Sequence, residues 1–279
     1  MPNELITSLL HITDSEFEGI ASFVYHKYGI DLSKKRQLIE GRLSYTVKSK
    51  GFQNYGEYFK MLQAAENKAE MDIFLNKITT NYSYFSRESE HFEYLINQVL
   101  PELTKTRNHD LRIWSAGCSS GQEPYNIAMA NDQFFGFNKG KWDTTILATD
   151  ISANVLEKAR KGIYRADDLK NVPATWRTKY FSKLPNGDYQ VTEAIRREVV
   201  FRTFNLMEPI VCKKPFDIIF CRNVMIYFDA ATTANLLQRF YRATAPGGYL
   251  FIGHSESIDR GNSGYSLVHP AVYKKITRG

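Results

Sequence analysis

The chain has 279 residues, 43% hydrophobic and 24% charged, which is long enough to bury a core and too apolar for a disordered polymer. No stretch approaches about 20 consecutive apolar residues, so a membrane span is not expected; the opening MPNELITSLLHITDSEF also lacks the basic start and apolar run of a signal peptide. A formal charge of +6 points to an acidic partner (nucleic acid, anionic membrane or acidic protein surface) or to nothing more than a basic soluble protein, and three cysteines without metal-ligand spacing, Cys118, Cys212 and Cys221, predict reduced thiols in a cytoplasm and no bound metal.

Residues 1 to about 90 read as helices. Thr13 and Glu16 form a capping box ahead of Phe17, Ile20, Ala21, Val24 and Tyr28 at helical spacing, and Gly29 ends that helix. SKKRQLIEGRLSYTVKSKGF predicts a second helix, with Ser33 as N-cap and Gly51 at its end. Six basic residues in it, Lys34, Lys35, Arg36, Arg42, Lys48 and Lys50, stand against Glu40 alone, and Lys35 and Arg42 are spaced to share a face. NYGEYFKML and AEMDIFLNKIT give two more short helices.

From about residue 110 the rhythm changes to strand, turn, helix. LRIWSAG, TTILATD, FDIIFCRN and GGYLFIGHSE are apolar strands. EPYNIAMANDQFF (with Pro124 in its first turn), SANVLEKARKG (Ser152 to Gly162) and ATTANLLQRFYRAT are the helices between them. Near-continuous apolar strands alternating with helices predict a parallel sheet covered on both faces. YSLVHPAVYKKI predicts an antiparallel strand pair at the end, and PNGD between YFSKL and YQV a tight hairpin in an insertion over about 163–198. The expected architecture is α/β: an N-terminal all-helical domain over 1–90, then a methyltransferase-type doubly wound, mostly parallel sheet over 91–279 with an antiparallel last strand and the small inserted β-hairpin subdomain.

The loop Gly117-Cys118-Ser119-Ser120-Gly121 admits two readings. It fits the nucleophile elbow G-x-S-x-G, with Asp217 and His254 as the only partners to nominate and nothing that pairs them. It also fits a nucleotide loop, where glycines such as Gly117 let a ligand approach the backbone at a helix N-terminus. The loop follows the first strand with only helices before it, which favours the nucleotide reading, although it is not the G-x-G-x-x-G of nicotinamide binding. Asp150 closes the second strand, either to hold both hydroxyls of a ribose or to cap the next helix.

Taken together, TTNYSYFSRESEHF, SAGCSSGQEPYNIAM and FDIIFCRNVMIYFD resemble three stretches of the bacterial chemotaxis receptor methyltransferases, the CheR family, and the likeness covers nearly the whole chain. Ser83 stands where the family's T-N-x-T-x-F-F-R segment has a threonine and Ser86 where it has an aromatic residue. The resemblance implies S-adenosylmethionine as methyl donor, S-adenosylhomocysteine as product, and glutamate carboxylates of chemoreceptors as acceptors. It implies cofactor contacts from Asn81, Ser83 and Arg87, Glu123 near the methionine part, and Asp150 on the ribose. Asn205 and Leu206 would lie beside the adenine, with Arg222 and Asn223 closing the site. Arg87 and Tyr227 are expected nearest the transferring methyl. Each has a plainer alternative: Arg87 could pair with Glu88 or Glu90, and Tyr227 could be a core aromatic, as Cys118 and Cys221 could be buried packers.

The same resemblance implies that the helical domain meets the acidic cytoplasmic bundle of a chemoreceptor, with Lys35, Arg36 and Arg42 as the docking residues, and a monomeric enzyme without direct membrane insertion. Nucleic acid is not the expected acceptor. The stretch after the fourth strand lacks the Pro-Pro-aromatic pattern of DNA amino-methylation, and neither Cys212 nor Cys221 follows a proline. An RNA methyltransferase and a non-catalytic cofactor sensor are the rival readings. Relatives that grip a C-terminal receptor pentapeptide tend to carry a longer, glycine-containing hairpin loop; the compact PNGD turn and Pro185 predict no tight pentapeptide binding here.

Overall fold

Thr13 opens the first helix as the sequence predicts: its hydroxyl accepts from Glu16 N–H while the Glu16 carboxylate accepts from Thr13 N–H. The computed structural model describes residues 10–64, 67–79, 82–259 and 263–276. It divides into two units, Met1–Asn81 with Tyr227–Asp229, and Tyr82–Ile226 with Ala230–Gly279.

The first unit is helical. Helix α1 (Asp14–Tyr28) buries Ile20, Val24 and Tyr28 and stops at Gly29, whose φ of +71° suits glycine. Helix α2 (Arg36–Ser49) starts later than Ser33, because the Asp31 carboxylate accepts the Ser33 N–H in a local turn and leaves Lys35 at the N-cap position. Gly51, at φ +83°, lies just past its end. Helices α3 (Tyr55–Gln63) and α4 (Lys68–Ile78) complete a core of Ile39, Leu43, Val47, Tyr55, Tyr58 and Phe74. Residues 227–229 join this unit: Asp31 N–H donates to the Tyr227 carbonyl at 2.8 Å, Tyr25 OH to Asp229 at 2.7 Å, and Ile30 bridges Phe228.

In the second unit a helical stretch, α5 (Glu90–Tyr94), a π turn at Leu95–Val99 and α6 (Leu100–Leu103), precedes the sheet. Then follow β1 (Ile113–Ala116), α7 (Gln122–Phe135), β2 (Ile146–Asp150), α8 (Ala153–Lys161), β3 (Ile163–Tyr164), α9 (Ala174–Tyr180), β4 (Phe181–Lys183) and β5 (Tyr189–Val191). The chain continues through α10 (Glu193–Arg196), β6 (Val199–Thr203), β7 (Phe216–Cys221), α11 (Ala230–Ala243), β8 (Thr244–Ile252), β9 (Tyr265–His269) and β10 (Val272–Lys275). Among the described residues the main sheet runs β6-β2-β1-β7-β8-β10-β9; the first five strands are parallel, and β10 is antiparallel to both neighbours. A second, antiparallel sheet, β3-β5-β4, is the inserted subdomain.

Every residue of β1 and β7 is buried, the burial that near-continuous apolar strands predict. From β1 the chain builds outward through β2 to β6, then returns to the other side of β1 for β7 and β8. Such a reversal opens a crevice at the carboxyl ends of the strands on either side of it, here β1 and β7, and ligands of open α/β sheets bind in that place.

Candidate cofactor site

The GCSSG loop leaves the carboxyl end of β1. Gly117 N–H and Cys118 N–H donate to the Thr149 carbonyl at 2.8 and 2.9 Å, and Ser119 N–H donates to Asp150 Oδ2 at 2.8 Å. Gly117 (φ +84°) tolerates no side chain: a Cβ there would lie 2.4 Å from Val224 Cγ2. The elbow reading fails on topology. Asp217 is the second residue of β7, where it accepts from Arg112 N–H and Arg107, whereas His254 lies just beyond the carboxyl end of the parallel neighbour β8. Acid and histidine are therefore at opposite ends of the sheet.

Of the two roles the sequence offers Asp150, the backbone-holding one at the start of α8 is visible. Its two oxygens accept from Ser119 N–H and Ser152 N–H, so one carboxylate ties the β1 loop to the start of α8, while the hydroxyl of Ser152, at the N-cap position, makes no hydrogen bond. Burial pushes the Asp150 carboxyl up, against the pull of those backbone donors. Glu123, in the first turn of α7, accepts from the Ser115 hydroxyl at 2.7 Å and from Arg222 Nη1 at 3.3 Å. Burial raises it too, with Arg222 opposing.

Arg222 follows β7, and its side chain is 2% exposed. Besides Glu123 it reaches Glu88 Oε2 at 3.1 Å and the Arg87 carbonyl. Burial pushes Glu88 up, but Arg222 and hydrogen bonds from His254 N–H and Asn223 hold it below the usual carboxylate range. Ser86 and Glu88 take left-handed φ values of +60° and +52° on either side of Arg87, and Asn223 takes +58°; such backbone is costly outside glycine. The Arg87 guanidinium contacts the Tyr82 carbonyl at 3.2 Å and lies 5.7 Å from the Tyr84 ring, while Glu88, its sequence-suggested partner, goes to Arg222 instead.

After β6, Phe204 N–H donates to the Asp150 carbonyl, which ties the segment carrying Asn205 and Leu206 to the end of β2. Asn205 Oδ1 accepts from Met207 N–H at 3.0 Å; Leu206 is buried. Gly117, Glu123, Asp150, Asn205, Leu206, Arg222 and Asn223 thus gather at the carboxyl ends of β1, β2, β6 and β7. Ser83 is half-buried, and Asn81 lies outside the described residues. Tyr227 belongs to the helical unit. The sequence does not single out Ser115 or Glu88 as members of this site. For Ser115 the signal was present, a hydroxyl two residues ahead of the loop in an otherwise apolar strand; Glu88 announced itself only as a neighbour of Arg87.

Asp150 and Glu123 are carboxylates pushed up by burial whose oxygens each have a donor and keep a further lone pair for a ligand. A ribose diol offers two hydroxyls, and the ammonium of an amino acid offers a cation, so the donor chemistry fits a nucleoside joined to an amino acid. A metal fits less well. Glu88, His91 and His254 bring ligand atoms within 4.8 Å of one another, but the guanidinium of Arg222 already neutralises Glu88. Cys118 and Cys221 are buried, and burial drives both thiols upward, so neither is a thiolate nucleophile.

In the helical unit Lys35 is exposed, Arg36 pairs with Asp14 and the Ile12 carbonyl, and Arg42 donates to the Lys77 and Thr79 carbonyls at 3.1 and 2.9 Å. No described helix is long and apolar enough to cross a membrane.

Residues 81–273 match the family model described as CheR methyltransferase, SAM binding domain, and residues 15–79 match CheR methyltransferase, all-alpha domain. A chemotaxis protein methyltransferase of Borreliella burgdorferi is 45% identical over 272 residues, covering 95% of this chain and 96% of that protein. The chemotaxis protein methyltransferases of Salmonella typhimurium and Escherichia coli are 38% and 36% identical over 274 residues, covering 96% of this chain and 92% and 93% of theirs.

Proposed function

For a chain that belongs to the CheR methyltransferase family over both of its domains, and is therefore a methyltransferase, we propose that the acceptors are glutamate carboxylates on the cytoplasmic domains of chemoreceptors and the products their methyl esters. The observation that carries this reading is the coupling of an all-alpha domain to an S-adenosylmethionine-binding domain of one family on one chain. S-adenosylmethionine supplies an activated methyl on a sulfonium. Asp150 holds the ribose, Glu123 the ammonium, Leu206 and Asn205 the adenine, and Arg222 with Asn223 the closing turn; Asn81, Ser83, Arg87 and Gly117 complete the cofactor set.

A glutamate acceptor is ionised at neutral pH, with an ordinary pKa near 4.3, so the chain needs no general base. Its task is to align the acceptor carboxylate and to keep water away, since partial desolvation favours a reaction that removes two opposite charges. Alignment alone is worth roughly 7–11 kcal/mol in well-oriented intramolecular reactions. Arg87 and Tyr227 position the acceptor. Exposed Lys35 presents its charge on the receptor-docking face, with Arg36 and Arg42 behind it and engaged within the helical unit, in a monomeric, cytoplasmic enzyme that uses no metal and no nucleic acid.

Incubation with methyl-labelled S-adenosylmethionine and purified receptor cytoplasmic domains tests the reading. Base-labile label on the receptor, released as methanol, supports it. Base-stable label, or label on RNA in place of receptor, overturns it.

A further inference from the structure

Glu256 lies just past the carboxyl end of β8, four residues beyond Ile252. Its carboxylate accepts from four backbone N–H groups at once. Oε2 takes Asn223 at 2.9 Å and Gly253 at 2.5 Å; Oε1 takes Met225 at 2.7 Å and Ile226 at 3.3 Å. Three of these donors belong to the turn after β7 that carries Arg222 and Asn223. The turn is costly by itself, because Asn223 is left-handed at φ +58° and successive N–H groups converge on one point. Converging amides of this kind attract an anion, and here the anion is the chain's own side chain.

The same turn is gripped on two further sides. A Cβ on Gly253 would meet Asn223 Nδ2 at 2.3 Å, and one on Gly117 would meet Val224 Cγ2 at 2.4 Å. The turn therefore lies against two glycine backbones, and the Glu256 carboxylate sets its conformation from the β8 side. Burial pushes the Glu256 carboxyl up, while the four amides oppose that rise and favour the ionised form.

We propose that Glu256 is a positioning residue for cofactor binding: its carboxylate templates the Arg222–Asn223 turn, so that Arg222 is held between Glu88 and Glu123 and the methionine end of the site is preformed. This rests on the assignment of Arg222 and Asn223 to the cofactor site. Glu256 itself need not touch the cofactor. Without the carboxylate, the four amides lose their common acceptor and the left-handed Asn223 loses what holds it.

The test compares Glu256→Gln, Glu256→Asp and Asp150→Ala by calorimetric titration with S-adenosylhomocysteine, alongside amide hydrogen exchange. Glu256→Gln is expected to weaken binding about tenfold or more, since a lost charged acceptor leaves several donors poorly satisfied. It should also speed exchange at Asn223, Met225 and Ile226 while the amides of β1 and β2 stay protected. Glu256→Asp, which keeps the charge one methylene short, should recover part of the affinity. If Asp150→Ala weakens binding but neither Glu256 variant does, the positioning role falls and the site assignment stands. If all three bind like wild type, the site assignment itself falls. If both Glu256 variants lose the protected amides of the whole sheet, Glu256 is a determinant of the fold, and the inference is overturned on that ground.

Discussion

A guanidinium that is 2% exposed, lodged between Glu88 and Glu123, sets the charge balance of the site. Leaving such carboxylates buried without their cation costs about 3–5 kcal/mol where it has been measured. Arg222→Met should therefore lower the unfolding free energy of the α/β unit by about that much in urea titrations; a loss below about 1 kcal/mol would mean that water already serves both carboxylates. His91 makes the stability of this unit depend on pH. It is fully buried, its Nε2 faces the Pro270 carbonyl at 3.2 Å, and burial together with Arg222 depresses its pKa to about 3, against the smaller pull of Glu88. The unfolded chain takes up a proton near pH 6.5, and the folded one does not until about pH 3. Between those limits the unfolded state binds more protons, so stability is present in full above pH 6.5 and falls with pH by up to about 1.4 kcal/mol per unit. The midpoint of thermal unfolding between pH 7 and pH 5 should drop in wild type and drop less in His91→Gln; equal drops would place the titration elsewhere. At Tyr227 the expectation is kinetic: Tyr227→Phe should lower turnover with little change in S-adenosylhomocysteine affinity, and unchanged turnover would remove the hydroxyl from acceptor positioning. Among residues, those on strand ends and in the glycine loop were legible because the chemistry and the spacing are local. Glu256 was not, because its role depends on four amides, three of them 30 or more positions away, that only the adjacency of β7 and β8 brings together.

The strands and helices that the sequence announces in the α/β unit lie close to their expected places because they carry both an apolar period and a boundary residue such as Gly162 at φ +60°, whereas β6, an edge strand with only Val199 and Phe201 buried, escapes that reading. Helix α2 departs from its expected start because the Asp31 carboxylate accepts the Ser33 N–H and draws Ser33 into a local turn, a hydrogen bond that spacing does not reveal. The inserted subdomain contains the expected hairpin together with β3, too short to stand out in the sequence, which pairs with β5. Its turn is as compact as PNGD suggests: Gly187 N–H donates to the Leu184 carbonyl, Leu184 N–H to the Asp188 carbonyl, and the Asn186 and Asp188 side chains close on each other. Strand β4 is an outer strand of this sheet and only three residues long, which offers an added peptide few ladder bonds. A C-terminal receptor pentapeptide titrated onto the protein should show no micromolar binding; a micromolar isotherm abolished by disrupting β4 would show that three residues of edge suffice.

At the scale of the whole chain the net charge of +6 is untouched by ion pairing, but pairing decides which of the basic residues can meet an acidic partner. In the segment from Lys34 to Lys50, Arg36 is spent on Asp14, Lys50 on Glu70, and Arg42 on the last carbonyls of α4. Arg42 therefore holds the helical unit together, and reversing its charge would confound docking with folding. Lys34 and Lys35 are exposed ahead of α2, and they are the residues through which the proposed attraction to an acidic receptor bundle can be tested without disturbing that packing. Exposed charges act over about a Debye length, roughly 8 Å at physiological salt, and bear mainly on encounter. The double variant Lys34→Glu, Lys35→Glu should raise the KM for receptor fragment severalfold, leave kcat and S-adenosylhomocysteine affinity unchanged, and flatten the rise of KM with added salt seen in wild type. A wild-type KM indifferent to salt, or a double variant with the wild-type KM, would reject these lysines as the docking face. A fall in kcat with KM intact would instead mean that they act after encounter, on the alignment of the acceptor glutamate.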